Sequence, residues 1–125
     1  MLLTFIKPKF DGLIKENIKQ HTIRADKNNR WKVGNSIQFW NGSPRNVHAK
    51  NKPYQFGSGV CSRIDRIAIY PSENRIVIAD FSVSNSLVLD DIAKNDGFEN
   101  WEEMKTFFTE DFEGKLIFWK HCIWW

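Results

Sequence analysis

The sequence predicts an α+β protein: a small barrel of five to six mostly antiparallel strands that carries two to three short helices. Two observations predict this class. Short β-branched and aromatic segments are separated by turn residues along most of the chain, and after residue 84 the apolar residues recur at helical spacing instead. Strands first and helices inserted late favour a small barrel. With 125 residues, the chain fits a single domain over residues 1–125.

The first sixty residues predict four short elements and one long loop. Ile37 and Phe39 alternate with polar neighbours, which places them inward, while Trp40 shares the outer face with Gln38. The predicted order is a strand over 2–7, a helical turn from Pro8 to near Asn17, a strand over 19–24, a strand over 36–40 and a loop over Asn41–Gly59.

The second half predicts a hairpin, two helices and a last strand. Gly97 is suited to end the first helix, and Asn100 with Glu103 forms a capping box that opens the second. The predicted elements are a hairpin of residues 60–70 and 75–83 turning at 71–74, a helix with Leu89, Ile92 and Ala93 inward, a helix with Trp101, Met104, Phe107 and Phe108 buried, and a strand over 115–123 beside the first strand.

Composition limits the classes of function. No apolar run approaches the ~20 residues of a membrane span, and the first six residues are too short for a signal peptide. We therefore expect a cytoplasmic protein without a membrane partner, in which Cys61 and Cys122 are reduced, packed thiols. The three histidines lie far from any ligand spacing, so no metal and no cofactor is expected. The oligomeric state stays open.

The formal net charge of +3 is unevenly distributed. Residues 1–66 carry thirteen Lys and Arg against four Asp and Glu, a net +9, while residues 67–125 carry five against eleven, a net −6. A half-chain this basic is typical of proteins with a phosphate-bearing partner. A solvated surface whose two signs mix in the fold is the alternative.

The segment Lys19-Gln20-His21-Thr22-Ile23-Arg24 carries the most chemistry. With a side-chain period of two, Thr22 and Arg24 share one face and Ile23 points away. Lys19 can join that face only across a turn or bulge before the strand. An exposed edge strand whose charges discourage aggregation is the simpler alternative.

Four motifs in order resemble an ASCH domain, whose fold is a PUA-like β-barrel. The resemblance covers roughly residues 1–120. It rests on Lys19-x-x-Thr22-Ile23-Arg24, on Arg30-Trp31-Lys32-Val33-Gly34 before the strand ending at Trp40, on Ala93-x-x-Asp96-Gly97-Phe98, and on Phe112-x-Gly114-x-Leu116-Ile117. The resemblance implies binding of RNA or a nucleoside between the barrel and the inserted helices. In some compact members it implies an amidohydrolase that removes an acyl group from the exocyclic amine of cytidine.

The resemblance also implies residue roles. The hydrolytic pattern places a nucleophile at Thr22, a general base at Lys19 and a carboxylate at Asp96, where hydrolytic members are expected to carry Glu. A threonine hydroxyl becomes a nucleophile when a neighbouring base takes its proton, and a lysine serves as that base if its pKa is lowered. An acid beside a helix-ending glycine is the ordinary alternative for Asp96.

Three functions therefore follow as hypotheses. The first is an RNA or nucleotide binding module, in which Arg24, Arg30 and Lys32 contact phosphate and an exposed Trp31 or Trp40 stacks on a base. The second is the amidohydrolase. The third is a protein-interaction or regulatory module that uses the Asn41–Gly59 loop and the Trp124-Trp125 tail.

Overall fold

The computed structural model of the protein describes residues 1–5, 9–45 and 52–125. These residues form an α+β fold with one seven-stranded mixed sheet and three helices. The helices are α1 (Phe10–Lys15), α2 (Ser86–Asn95) and α3 (Trp101–Phe107). The strands are β1 (Leu2–Phe5), β2 (His21–Arg24), β3 (Ser36–Asn41), β4 (Tyr54–Tyr70), β5 (Arg75–Ile78), β6 (Phe81–Val83) and β7 (Phe112–Trp124).

Strand β4 organises the sheet because it is long enough to pair with three others. The N-terminal part of β4 pairs with β3 and its C-terminal part with β5, while β7 runs antiparallel along its other side. The β4–β7 register shifts between Ser58 and Val60 and between Cys61 and Arg63. Such irregularities bend a strand and increase its twist, so β4 curves around the core.

The sheet is not closed into a barrel. Strand β1 pairs in parallel with β3, and β2 pairs with β7, so β1 and β2 form two separate edges. Across the gap between them, Arg24 Nη2 donates a hydrogen bond of 2.8 Å to the Thr4 carbonyl oxygen. The expectation that the last strand lies beside the first is wrong in the described part of the chain, because β2 occupies the free edge of β7.

The predicted turn before β2 and the predicted helix caps at Gly97 and Asn100 are confirmed. After α1, Asn17 adopts a left-handed φ of 61°, and the Leu13 carbonyl accepts the backbone N–H groups of Ile18 and Lys19. Gly97 follows α2 with φ 97°. The Asn100 side chain accepts the Glu103 N–H at 2.8 Å, which caps α3.

Two apolar clusters form the core. One lies between α2, α3 and the sheet and contains Ile69, Leu89, Met104 and Leu116 among others. The other packs β1, α1, β3 and β4 around Phe5, Ile14, Phe39 and Phe56. Phe107, predicted to be buried, is 57% exposed, whereas Trp101, Met104 and Phe108 are buried as predicted. The two thiols are free, Cys61 buried and Cys122 half-buried.

Two predicted segments differ from the structure. The Asn41–Gly59 segment is shorter as a loop than predicted, since β4 already begins at Tyr54, and residues 46–51 lie outside the described residues. The predicted strand over 75–83 is broken into β5 and β6 at Ala79, whose φ is 53°. At the tail, Trp124 belongs to β7 and Trp125 is 63% exposed.

Candidate functional site

A cavity of about 230 Å³ lies where the edges of β1 and β2 fail to pair. Thr4 and Phe5 of β1 line one side, and Thr22, Ile23 and Arg24 of β2 line the other. Its aromatic walls come from β1, α1, α3 and the segments next to α3, and comprise Phe5, Phe10, Phe98, Phe107 and Phe108. The open sheet therefore creates a pocket with apolar walls and a few polar groups, the composition that ligand sites commonly have.

Lys19 is the most deeply buried charged residue that lines this cavity, with 1% of its surface exposed. Its Nζ donates to the His21 carbonyl at 2.9 Å, to the Asp96 carbonyl, and to Asp96 Oδ1 at 3.4 Å. The same ammonium lies 4.6 Å from the centroid of the Phe10 ring. Lys19 precedes β2 and reaches the cavity through the turn at Asn17, as the sequence required.

Burial changes the acid–base chemistry of this lysine. Desolvation lowers the pKa of Lys19 from 10.5 to about 8, although the negative charge of Asp96 works to raise it. Near neutral pH the ammonium is still the major form. About a tenth of the molecules carry the neutral amine at pH 7 if the pKa is 8, and only that form can accept a proton.

Asp96 links Lys19 to a histidine that the sequence did not identify as part of the site. Asp96 follows α2, and its Oδ1 lies 3.0 Å from Nδ1 of His21, whose ring is buried against Phe118. Because an ionised carboxylate only accepts hydrogen bonds, the proton of this pair lies on Nδ1. His21 directly precedes Thr22 in the Lys19–Arg24 segment. This adjacency was the sequence signal that could have placed His21 in the site.

Thr22 and Arg24 line the same cavity, as predicted from their shared strand face, but Ile23, which was predicted to point away, lines it as well. Thr22 is 5% exposed and pairs with Ile117 of β7. The Arg24 guanidinium lies 5.2 Å from the Phe5 ring centroid in addition to its bond to Thr4. Burial lowers the pKa of Arg24, with Asp96 acting in the opposite direction. The four predicted residues Lys19, Thr22, Arg24 and Asp96 thus line one cavity.

The other predicted nucleic-acid contacts lie outside the cavity. Arg30 and Lys32 are exposed in the loop between β2 and β3. Trp31, predicted to stack on a base, is 8% exposed and belongs to a core cluster, so that role is wrong. Its backbone N–H donates to Asp26 Oδ2 at 3.1 Å. Trp40 is half-buried and donates from Nε1 to Gln38 Oε1 at 3.2 Å.

Two further findings concern partners. Within residues 1–5, 9–45 and 52–125, no group of three or more His, Cys, Asp or Glu side chains is placed to hold a metal ion. In the same ranges, no helix has the length and apolar character needed to cross a membrane. Comparison of the chain with protein-family models, curated proteins and solved structures gives no match.

Proposed function

We propose that this protein binds RNA or a nucleotide by accepting one base into the cavity between β1 and β2. The observation that carries the proposal is the combination of phenyl walls with buried polar groups in one cavity. Aromatic side chains stack on nucleobases, and hydroxyl and cationic donors pair with base or phosphate acceptors. The volume of about 230 Å³ is below the ~300–1,000 Å³ of drug-sized sites, which favours one base or nucleoside.

The charge distribution supports the same proposal. Residues 1–66 carry the excess of cations, and Arg30 and Lys32 remain exposed in the loop that follows β2. Those exposed cations are available to the phosphates of an RNA chain. The ordered motifs resemble those of an ASCH domain, whose fold is a PUA-like barrel. This resemblance is consistent with the proposal.

The test is the binding of short single-stranded RNA measured at several salt concentrations. We expect micromolar or weaker affinity that falls steeply with salt, with a slope of about −0.7 per neutralised phosphate. Lys32→Ala should weaken binding to all RNA sequences, since an exposed ammonium attracts phosphates and not particular bases. Phe81→Ala, at a 76% exposed ring on β6, is the control and should leave affinity unchanged. An affinity that is flat between low and moderate salt would contradict the proposal.

A second candidate function is hydrolysis of an acyl amide on cytidine. The observation that favours it is the buried Lys19, whose pKa of about 8 lets it serve as a base in a cavity that Thr22 also lines. In this scheme Thr22 Oγ1 attacks the amide carbonyl while the neutral Lys19 amine takes its proton. Lys19 then returns the proton to the leaving amine, and water hydrolyses the acyl-threonine.

The position of Asp96 bears directly on this candidate. Its Oδ1 lies 3.4 Å from Lys19 Nζ, longer than the ~2.7–2.9 Å of a good charge-assisted hydrogen bond. One more methylene would bring the carboxylate closer to the ammonium. A wrong position of about an ångström can reduce a rate a hundredfold, so the length of this side chain matters for turnover.

The hydrolase candidate is tested by release of acetate from N4-acetylcytidine. Thr22→Ala should abolish release while the protein stays folded, since it removes the attacking atom and leaves most of the packing. Lys19→Met should also abolish release, because it keeps the apolar stem without the base. Asp96→Glu should keep or raise the rate. If wild type and Asp96→Glu both release no acetate where a known hydrolase does, this candidate is wrong and the binding proposal stands.

A further inference from the structure

The guanidinium of Arg24 is incompletely satisfied. Its Nη2 donates to the Thr4 carbonyl, but its Nε is buried and has no hydrogen-bond partner among the described residues. Within residues 1–5, 9–45 and 52–125, the Arg24 side chain forms no ion pair. Most buried polar groups in proteins have a partner, and an exception calls for a physical explanation. Here the unpartnered donor belongs to a residue that lines the cavity.

The charges around the cavity show what kind of partner Arg24 lacks. The described lining residues include two cations, Lys19 and Arg24, and one carboxylate, Asp96. Asp96 Oδ1 is already shared by Lys19 Nζ and His21 Nδ1. The described lining therefore carries one more positive than negative charge, and such an excess in an apolar environment is unfavourable unless an anion binds.

We propose that the ligand carries a phosphate and that Arg24 binds it, with the base held among the phenyl rings. This inference rests on the proposed nucleotide-binding function and specifies its substrate class as a charged nucleotide instead of a neutral nucleoside. A planar guanidinium offers adjacent N–H donors that match two phosphate oxygens. Nε and the Nη2 hydrogen on the same edge of the guanidinium supply that pair, while the other Nη2 hydrogen keeps the bond to Thr4.

The phosphate can come from a free nucleotide or from an RNA chain. Calorimetric titration of the full chain with cytidine, cytidine 5′-monophosphate and a five-nucleotide RNA with free hydroxyl ends separates these sources. Wild type should bind the monophosphate or the RNA about tenfold or more tightly than cytidine, the advantage of a hydrogen bond to a charged group. A stronger response to the monophosphate assigns a terminal phosphate, and a stronger response to the RNA assigns a phosphodiester.

Variants then assign that preference to Arg24. In Arg24→Gln, cytidine and its monophosphate should bind with equal affinity, and Arg24→Lys should recover only part of the difference because it lacks the planar fork. Arg66→Gln, at a side chain that is 81% exposed on β4, removes the same charge elsewhere and should keep the preference. This control separates a local contact from the effect of net charge.

Two results would overturn the inference in different ways. If wild type binds cytidine, the monophosphate and the RNA equally well, Arg24 takes no phosphate, and the nucleotide-binding proposal survives with a neutral ligand. If wild type binds none of the three probes, the proposed function itself fails and the inference fails with it. The comparison of probes on wild type needs no variant, so it stays decisive even if Arg24→Gln does not fold.

Discussion

Two lysine–aspartate pairs flank strand β2, and they differ in what surrounds them. Before the strand, Lys19 and Asp96 lie 3.4 Å apart with side-chain exposures of 1% and 5%. After the strand, Lys115 and Asp26 lie 3.0 Å apart with exposures of 17% and 3%. Both pairs join β2 to distant parts of the chain, yet only the first lines the cavity between β1 and β2.

The two pairs differ in which partner has a lowered pKa, the carboxylate Asp26 in one and the ammonium Lys19 in the other. Burial works to raise the pKa of Asp26, but hydrogen bonds from Lys115 and from the Arg30 and Trp31 amides lower it below its ordinary value. That carboxylate fixes the loop between β2 and β3. At the other end of β2, the pKa of the cationic partner, Lys19, is lowered, and this side chain lines the cavity between β1 and β2. The same residue types thus build a loop anchor in one place and a candidate site in the other.

Removing Asp26 should give the largest loss of stability. Asp26→Ala removes the acceptor of three hydrogen bonds, from Lys115 and from two backbone N–H groups, and at about 1–1.5 kcal/mol for each bond the unfolding free energy falls by about 3–4 kcal/mol. Urea unfolding measures the effect. Asp111→Ala, at an exposed carboxylate, should change stability by less than about 0.5 kcal/mol. A loss below about 1 kcal/mol for Asp26→Ala would show that the pair is not an anchor.

Lys19 should make stability depend on alkaline pH. Its pKa is about 8 in the folded protein and takes the ordinary value of 10.5 in the unfolded chain. Between these two pH values the unfolded chain therefore binds one more proton than the folded protein. The unfolding free energy should therefore rise with pH across that window, by up to about 3 kcal/mol from this group. Below pH 8 the contribution is constant. The slope should be absent in Lys19→Met, and an identical slope in both proteins would refute the assignment.

Alanine at two glycines should separate backbone strain from displacement of Lys19. Gly97 and Gly34 have φ of 97° and 94°, so both substitutions carry a strain of about 1–2 kcal/mol. A Cβ at Gly97 would also lie 2.9 Å from the Phe10 ring and 3.0 Å from Lys19 Cδ, whereas Gly34 has nothing within 4 Å. Gly97→Ala should thus lose an additional ~1–3 kcal/mol and bind nucleotide more weakly. Equal effects in thermal unfolding and binding would contradict this.

The smallest effect on stability is expected at Phe107. This ring is 57% exposed and lies 5.9 Å from Phe98, so Phe107→Ala should cost no more than about 1 kcal/mol of stability. If the ring stacks on a base, the binding free energy should fall by about 1–3 kcal/mol. Calorimetry with the RNA used above measures both wild type and variant. Unchanged affinity would remove Phe107 from the site and leave the other phenyl walls in question.

Local patterns predicted most of the elements and much of the candidate site. The period of two placed Thr22 and Arg24 together, and the need for a turn before the strand was met by Asn17 with its left-handed backbone. These features depend on residues close in sequence. The caps at Gly97 and Asn100 were predictable for the same reason.

Pairings between distant segments were not predictable in the same way. Nothing in the Lys115–Ile123 pattern indicates that its free edge takes β2 and not β1, because both are short strands. Trp31 lies among charged residues in the sequence, which suggests an exposed ring, yet the ring is buried in the core and its backbone N–H bonds to Asp26. The role of His21 also depends on Asp96, which lies 75 residues away in the sequence.

An NMR titration of the Lys19 side-chain amine with and without cytidine 5′-monophosphate tests most directly whether this buried amine lies in an apolar cavity that accepts a nucleotide. We expect a pKa of about 8 in the free protein and a higher pKa when the nucleotide is bound, because an anion favours the ammonium form. A pKa near the ordinary 10.5 of lysine that does not move when the nucleotide is added would contradict it.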